Sequence, residues 1–402
     1  MRTRDYVLMN VYWFGLAFMW NSLHPIVLPA LLLRFVPEAL KNTYLGGMTF
    51  VGLILAMIVQ PLSGALSDRT RARWGRRRPW IAAGTLVDLL CLAIMALAGG
   101  YWALLVGYLL LQTSSNTAHG PAQGLIPDLV PAERRGLASG LKNLFDMAGL
   151  VIASLVAGQL MSAGNVLLAF IVIGAVLVAS CLVTLLGTHE PPATRPLASV
   201  SNPLRDLLRV DLRRYPAYSR LILSRLLILF GIYVVQSFAQ YYIRDVLRVP
   251  DAAGTTGNLM AVIGVALTVL VFPAGMLSDR FGRRPLNVFS GVLAALGIFL
   301  VAFARTVPAL LVFGGTIGIA TGIFVSVNWA LATDLIPQEE AGKYLGLSNL
   351  ATAGSAALAR LVGPLIDGLN SLWPGAYLGY PLVFIVAAVG TLIGALLMLR
   401  KE

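Results

Sequence analysis

The sequence predicts an all-α membrane protein, with twelve transmembrane helices in two pseudo-symmetric six-helix halves. Three observations lead there. Of 402 residues, 58% are hydrophobic and only 12% are charged, far from the balance of a soluble domain. Twelve apolar windows follow one another along the chain, each long enough for the roughly 20 residues that a crossing needs. Two motifs also recur, in the same order, in the first and second halves.

Bounded by charges, Pro or Gly, the windows lie near residues 6–33, 44–66, 80–99, 101–126, 138–162, 165–187, 217–242, 255–277, 286–304, 307–333, 344–366 and 378–399. The first is too long for the apolar core of a cleavable signal peptide and reads as a span. The third follows an Arg-rich loop, and the sixth ends where a Pro- and Arg-rich segment begins. That segment, 188–216, is read as a linker between halves 1–187 and 217–402. With both termini inside, 23 Lys and Arg fall on the inner side and 5 on the outer, which is the positive-inside bias. Arg225 and Arg360 fall within the membrane, where each is expected to reach toward a polar face. The net charge of +12 is thus topological, and nucleic acid is not an expected partner. Cys91 and Cys181 lie inside apolar runs and imply neither a disulfide nor a metal site.

The repeat is specific. Gly64-Ala-Leu-Ser-Asp68-Arg69 returns as Gly275-Met-Leu-Ser-Asp279-Arg280, an offset of 211 residues. Each copy is followed by a Gly-Arg-Arg group, Gly75-Arg76-Arg77 and Gly282-Arg283-Arg284. Gly124-Leu-Ile-Pro-Asp128-Leu-Val-Pro131, with Gly136, Gly140 and Asn143, then matches Ala330-Leu-Ala-Thr-Asp334-Leu-Ile-Pro337, with Gly342, Gly346 and Asn349, at an offset of 206. The first loop carries the extra stretch Thr70 to Trp74. Physically, Gly64 and Gly275 are expected where two helices approach closely, and Asp68 and Asp279 accept from neighbouring Arg as a polar latch.

On these residues the chain resembles the major facilitator superfamily over its whole length. The long loop from Ser67 to Pro79 and the stretch Asn116 to Pro131 are similar to the sucrose transporter and glycoside-pentoside-hexuronide symporter branches. The resemblance implies the major facilitator fold, transport by alternating access, and a latch at the cytoplasmic face that breaks when the protein opens inward. Gln112 and Gln123 stand where those sugar transporters often carry Asp and Arg, so their proton-coupling arrangement does not transfer.

Polar residues at bilayer depth need a reason, since an ionised side chain there costs about 2.5–3.5 kcal/mol on insertion scales. Asp88 sits roughly 12 Å into the third helix, as a proton carrier or as an acid satisfied by a neighbouring helix. Gln112, Asn116, His119 and Gln123 form one face of the fourth helix, and depth brings His119 level with Asp88. Asn21 and His24, one turn apart and followed by Pro25, offer hydrogen bonds to a solute, with Trp13 or Trp20 for stacking on a sugar ring. Tyr233, Gln236 and Gln240 on the seventh helix, Asn328 and Trp329 on the tenth and Arg360 on the eleventh complete the cavity candidates. Lys142 and Asp146 are read as an i,i+4 pair near the interface.

The chain lacks G-x-x-x-x-G-K-[ST], so transport is expected to draw on a gradient or to run downhill. The reading is therefore a monomeric transporter of the inner membrane, not an enzyme, carrying a sugar or glycoside with protons and no other cofactor. Asp88 and His119 are its coupling candidates. The alternative is an exporter of amphipathic or drug-like compounds.

Overall fold

The computed structural model describes residues 3–192, 215–336 and 341–399. Most of the linker expected at 188–216 lies outside the described residues. The described chain forms twelve helical segments: α1 (Thr3–Leu32), α2 (Lys41–Asp68), α3 (Arg78–Ala96), α4 (Tyr101–Leu129), α5 (Arg135–Ser162), α6 (Val166–Gly187), α7 (Pro216–Asp245), α8 (Ala252–Phe281), α9 (Arg283–Ala302), α10 (Val307–Asp334), α11 and α12 (Gly379–Leu396). α11 is broken into Ala341–Arg360 and Gly363–Leu372, with Pro364 opening the second piece. No strand is present among the described residues.

Ten of the twelve are long and apolar enough to cross a membrane. The two exceptions, α4 and α11, are diluted by polar side chains. Lipid does not drive helices together, so contact rests on close packing and interhelical hydrogen bonds. Gly120 shows this: a Cβ there would lie 2.3 Å from the Gln60 carbonyl oxygen, while Ser63 Oγ donates to Gln60 and Asn116 carbonyls at 3.0 Å each. A Cβ on Gly64 would meet nothing closer than 3.9 Å, so the tight crossing of α2 and α4 is made by Gly120 rather than by Gly64.

The chain divides into two compact units, residues 1–36 with 51–200, and residues 37–50 with 201–402. The assignment of 37–50 departs from the expected boundary, and buried chemistry explains it. Lys41 Nζ pairs with Asp245 at 2.6 Å, both almost fully buried. Asp367 accepts from Asn42 Nδ2, Thr43 N and Thr43 Oγ1, each at 2.7 Å, and Tyr380 donates to Asp245 at 2.8 Å. Gly46 and Gly363 admit the backbone of the opposing segment, where a Cβ would fall about 2 Å from the Arg360 and Asn42 carbonyls respectively.

In the first unit, Arg77 draws three elements together. It pairs with Asp68 at the end of α2 and with Asp128 at the end of α4 (2.9 Å), and donates to Ser67 Oγ and the Gly64 carbonyl. In the second unit Arg283 pairs with Asp334 at 2.5 Å and Asp279 at 3.3 Å, and donates to the Ala330 carbonyl. Arg77 and Arg283 are therefore equivalent at the offset of 206 that also relates Asp128 to Asp334. Aligning the Gly-Arg-Arg groups in register had matched Arg76 with Arg283, one residue off. Gly75 (φ +95°) and Gly282 (φ +90°) each turn the chain into the next helix in the left-handed region. Arg69 and Arg280 are exposed and make no ion pair among the described residues. Glu190 was not anticipated: its carboxylate accepts from the backbone N–H of Arg76, Arg77 and Arg78, satisfying the open first turn of α3.

The two clamps differ in burial, since the Arg77 side chain is 7% exposed and Arg283 31%. Breaking a buried pair leaves an uncompensated charge and costs about 3–5 kcal/mol, against under about 1 kcal/mol at the surface. Arg77→Gln is expected to lower the thermal unfolding midpoint of the purified protein far more than Arg283→Gln; equal shifts would contradict the asymmetry. Gly120→Val is expected to cost at least about 1–3 kcal/mol through overpacking, while Gly64→Ala leaves the same midpoint nearly unchanged.

Candidate functional site

The first unit carries its polar face on α1, α4 and α5. Near His24 and Pro25, α1 passes through a π-helical stretch, Leu23–Val27, which displaces side chains from the regular 3.6-residue rotation. His24 Nε2 lies 3.0 Å from Tyr108 Oη, and its ring stacks on Trp20 at 4.9 Å. Gln112 donates to Tyr108 at 2.7 Å and Asn116 donates to Gln112 Oε1 at 3.2 Å. Gln112 and Asn116, both buried, thus satisfy one another and Tyr108 within the helix packing. Gln123 is exposed, 3.4 Å from His119.

One turn along α1, a cavity of about 320 Å³ opens between α1, α4 and α5. Its polar lining is Asn21, His119, Lys142 and Asp146, and its aromatic lining is Trp13 and Trp20. Lys142 Nζ pairs with Asp146 at 2.9 Å and stands 4.1 Å above the Trp13 ring, a cation–π contact. Trp13 meets the His119 ring edge-on at 5.0 Å. Asn21 donates to the Ala17 carbonyl at 2.8 Å, which leaves its amide oxygen for other donors. The Lys142–Asp146 pair forms as its spacing predicts, but it lines this cavity. A larger cleft of about 450 Å³ between α3 and α6 is lined by apolar residues and glycine alone.

Asp88 is elsewhere. It is fully buried, accepts from Ser114 Oγ, and keeps its second oxygen without a donor. Around it Thr85 bonds Tyr12 Oη at 2.8 Å, and Cys91 and Ser114 lie 3.9 Å apart. The shared depth of Asp88 and His119 therefore does not bring them together: one points into helix packing, the other into the cavity.

In the second unit Arg225 is the departure from expectation. Instead of reaching a polar face it is buried at 6% exposure, with Nη1 donating to Asn328 Oδ1 at 2.6 Å and Nε to Thr352 Oγ1 at 2.9 Å. Asn328 in turn donates to Asn287 at 3.1 Å, and Trp329 lies 5.9 Å from the guanidinium. Asn328 is thus a buried support rather than a surface of a cavity. Tyr233 and Gln236 are half-buried and Gln240 is buried on the same helix. Arg360 donates to the Ala356 carbonyl at 2.7 Å, at the break in α11.

Sequence reasoning read Lys142 and Asp146 as an interface pair rather than as cavity lining, and it missed Tyr108, Asn287 and the Asp245 and Asp367 cluster. For the first two the signal was present: a charged pair at i,i+4 inside an otherwise apolar run. The others are single residues whose roles depend on distant partners.

As a whole the first unit offers aromatic faces, amides and a half-buried ion pair, which suit a hydroxylated solute. No group of His, Cys, Asp and Glu suited to a metal occurs among the described residues. Residues 16–368 match the family described as MFS/sugar transport protein. The inner membrane symporter YicJ of Escherichia coli (strain K12) is 26% identical over 367 residues, 84% of this chain and 75% of that protein. The multidrug resistance protein MdtG of Enterobacter lignolyticus is 23% identical over 396 residues, 96% of this chain and 90% of that protein. The crystal structure of the nucleoside transporter NupG superposes with a TM-score of 0.77 over all of both chains at 15% identity, a likeness of fold. The chain belongs to the MFS/sugar transport protein family and is a multi-pass membrane transporter of small molecules, not an enzyme.

Proposed function

We propose that the protein couples uptake of a sugar or glycoside to protons by alternating access. The observation that carries this is the α1–α4–α5 cavity, where two indole rings, an amide oxygen and a titratable pair share about 320 Å³. Indole faces pack on the apolar faces of a sugar ring, while Asn21 and His119 meet its hydroxyls. Lys142 and Asp146 are the only charges in the lining, so a proton that neutralises Asp146 releases Lys142 toward the solute or Trp13. That assigns the coupling step to Asp146 with His119 rather than to Asp88, which is sealed in helix packing. In this reading the protein works as a monomer in the inner membrane, and the excess of Lys and Arg in the motif-bearing loops supports a cytoplasmic side for them and for both termini.

In proteoliposomes, adding a transported disaccharide or glycoside is expected to alkalinise the outside. Asp146→Asn abolishes the signal and Asp88→Asn retains it. The converse result would return the proton to Asp88, and a panel in which only lipophilic cations move would replace sugar uptake by export of amphipathic compounds. Trp20→Ala is expected to raise KM by roughly 3- to 10-fold, the value of one aromatic contact, measured by initial-rate uptake; an unchanged KM would remove Trp20 from the solute site.

A further inference from the structure

The latch is built twice, but its first loop is longer by the stretch Thr70 to Trp74. The second copy, without that stretch, still brings Arg283 to Asp279 and Asp334. The insert is therefore not what makes a clamp. Thr70 fastens it to α3, its Oγ1 accepting from Trp80 Nε1 at 2.7 Å, and the Gly75 N–H bonds back to the Ala72 carbonyl at 3.2 Å. Arg71, Arg73 and Trp74 are left exposed, Trp74 at 66%.

The carboxylates around this loop are already engaged. Six arginines, Arg69, Arg71, Arg73, Arg76, Arg77 and Arg78, meet three acids: Asp68 and Asp128 hold the Arg77 side chain, and Glu190 accepts from the backbone of Arg76, Arg77 and Arg78. Three positive charges remain in excess. Arg69, Arg71 and Arg73 make no ion pair among the described residues, and Arg76 Nη1 has no acceptor among them.

The depth of the loop follows from α2. Leu62 and Leu66, one turn apart, are exposed on a helix apolar enough to span a membrane, and Arg69 follows Leu66 after only about 4.5 Å of helix rise. Apolar surface suited to acyl chains thus gives way, within one turn, to guanidinium groups and an indole. A bilayer has the same order from its core to its headgroups, where Trp concentrates and Arg meets phosphate. Fixing topology needs positive charge alone. It does not call for an exposed indole beside two arginines that pair with nothing.

We infer that Arg71, Arg73 and Trp74 form a docking surface for the headgroups of anionic phospholipids in the surrounding bilayer. A guanidinium meets a phosphodiester through two parallel N–H groups, and the indole places its apolar body at the boundary of the acyl chains with its N–H toward the polar side. The inference is independent of the transported solute.

The test takes the full-length protein from vesicles of phosphatidylcholine and phosphatidylglycerol in equal amounts into mild detergent, and counts the lipids it retains by native mass spectrometry. Each arginine near an anionic surface contributes about fivefold, so wild type is expected to retain phosphatidylglycerol over phosphatidylcholine by roughly tenfold or more. In Arg71→Gln/Arg73→Gln the ratio is expected to fall by at least about fivefold, while Arg280→Gln, at the exposed arginine of the shorter loop, leaves it within about twofold. Trp74→Ala lowers the amount of both lipids retained. The substituted side chains are exposed, so the unfolding midpoint in phosphatidylcholine alone is expected to stay at the wild-type value in every variant. A wild-type ratio near one, or a ratio unchanged in Arg71→Gln/Arg73→Gln, would overturn the surface. Displacement of phosphatidylglycerol by millimolar inorganic phosphate would make it a site for a free anion and overturn the lipid assignment.

Discussion

Once packed inside protein, a polar side chain has no solvent to fall back on, and the arrangement of this protein follows from that constraint. Arg77 is the clearest case. Its charge is buried, so it has to be met by Asp68 and Asp128, and those two carboxylates close α2 and α4. Fixing the ends of α2, α3 and α4 at one residue sets the crossing at which Gly120 meets the α2 backbone. Satisfaction of the same kind runs up α4, where Asn116, Gln112, Tyr108 and His24 hand hydrogen bonds from helix to helix. What the network does not consume is left to face the cavity.

The two ends of α2 are held by different partners. Arg77 holds its last turn, and Asp245 and Asp367 hold its first residues within the second unit through Lys41, Asn42 and Thr43. Both sets are largely withdrawn from solvent, so neither is weakened by competition with water or salt. A transport cycle that releases either end has to compensate these bonds, by hydration of the freed charges or by a solute that repacks the helix.

How much of this was legible depended on whether a feature is local or shared between distant segments. Helices were legible because an apolar window needs no partner, and the latch was legible because it is written twice. The register of the latch was not: Gly75-Arg76-Arg77 and Gly282-Arg283-Arg284 align by letter, but the arginine that reaches both carboxylates is Arg77 in one and Arg283 in the other. Depth along a helix was legible and direction was not. Asp88 and His119 share a level, yet rotation about their helices sends one into packing against Ser114 and the other toward Trp13. The Asp245 and Asp367 cluster joins residues some 200 to 340 positions apart in sequence, and no spacing rule reaches that far.

The repeat and its breakdown divide the molecule by task. Residues that hold helix ends keep their identity between halves: Asp128 with Asp334 and Arg77 with Arg283 at an offset of 206, and Asp68 with Asp279 at 211, each arginine pairing with both of its carboxylates. Residues at bilayer depth do not. Lys142 corresponds to Ser348 and Asp146 to Thr352, and the cation of the second half comes from α7 instead of from the counterpart of α5. A scaffold role tolerates only the residue that makes the contact, because a clamp with one partner missing strands a charge. A binding role permits divergence, because the groups it needs are set by what is bound and not by the frame. In the first unit the cation of the cavity is neutralised by its own acid, Asp146, beside aromatic faces; in the second, Arg225 is met by neutral groups among the described residues. Two copies of one six-helix frame thereby keep the same scaffold contacts while carrying unlike polar groups at bilayer depth.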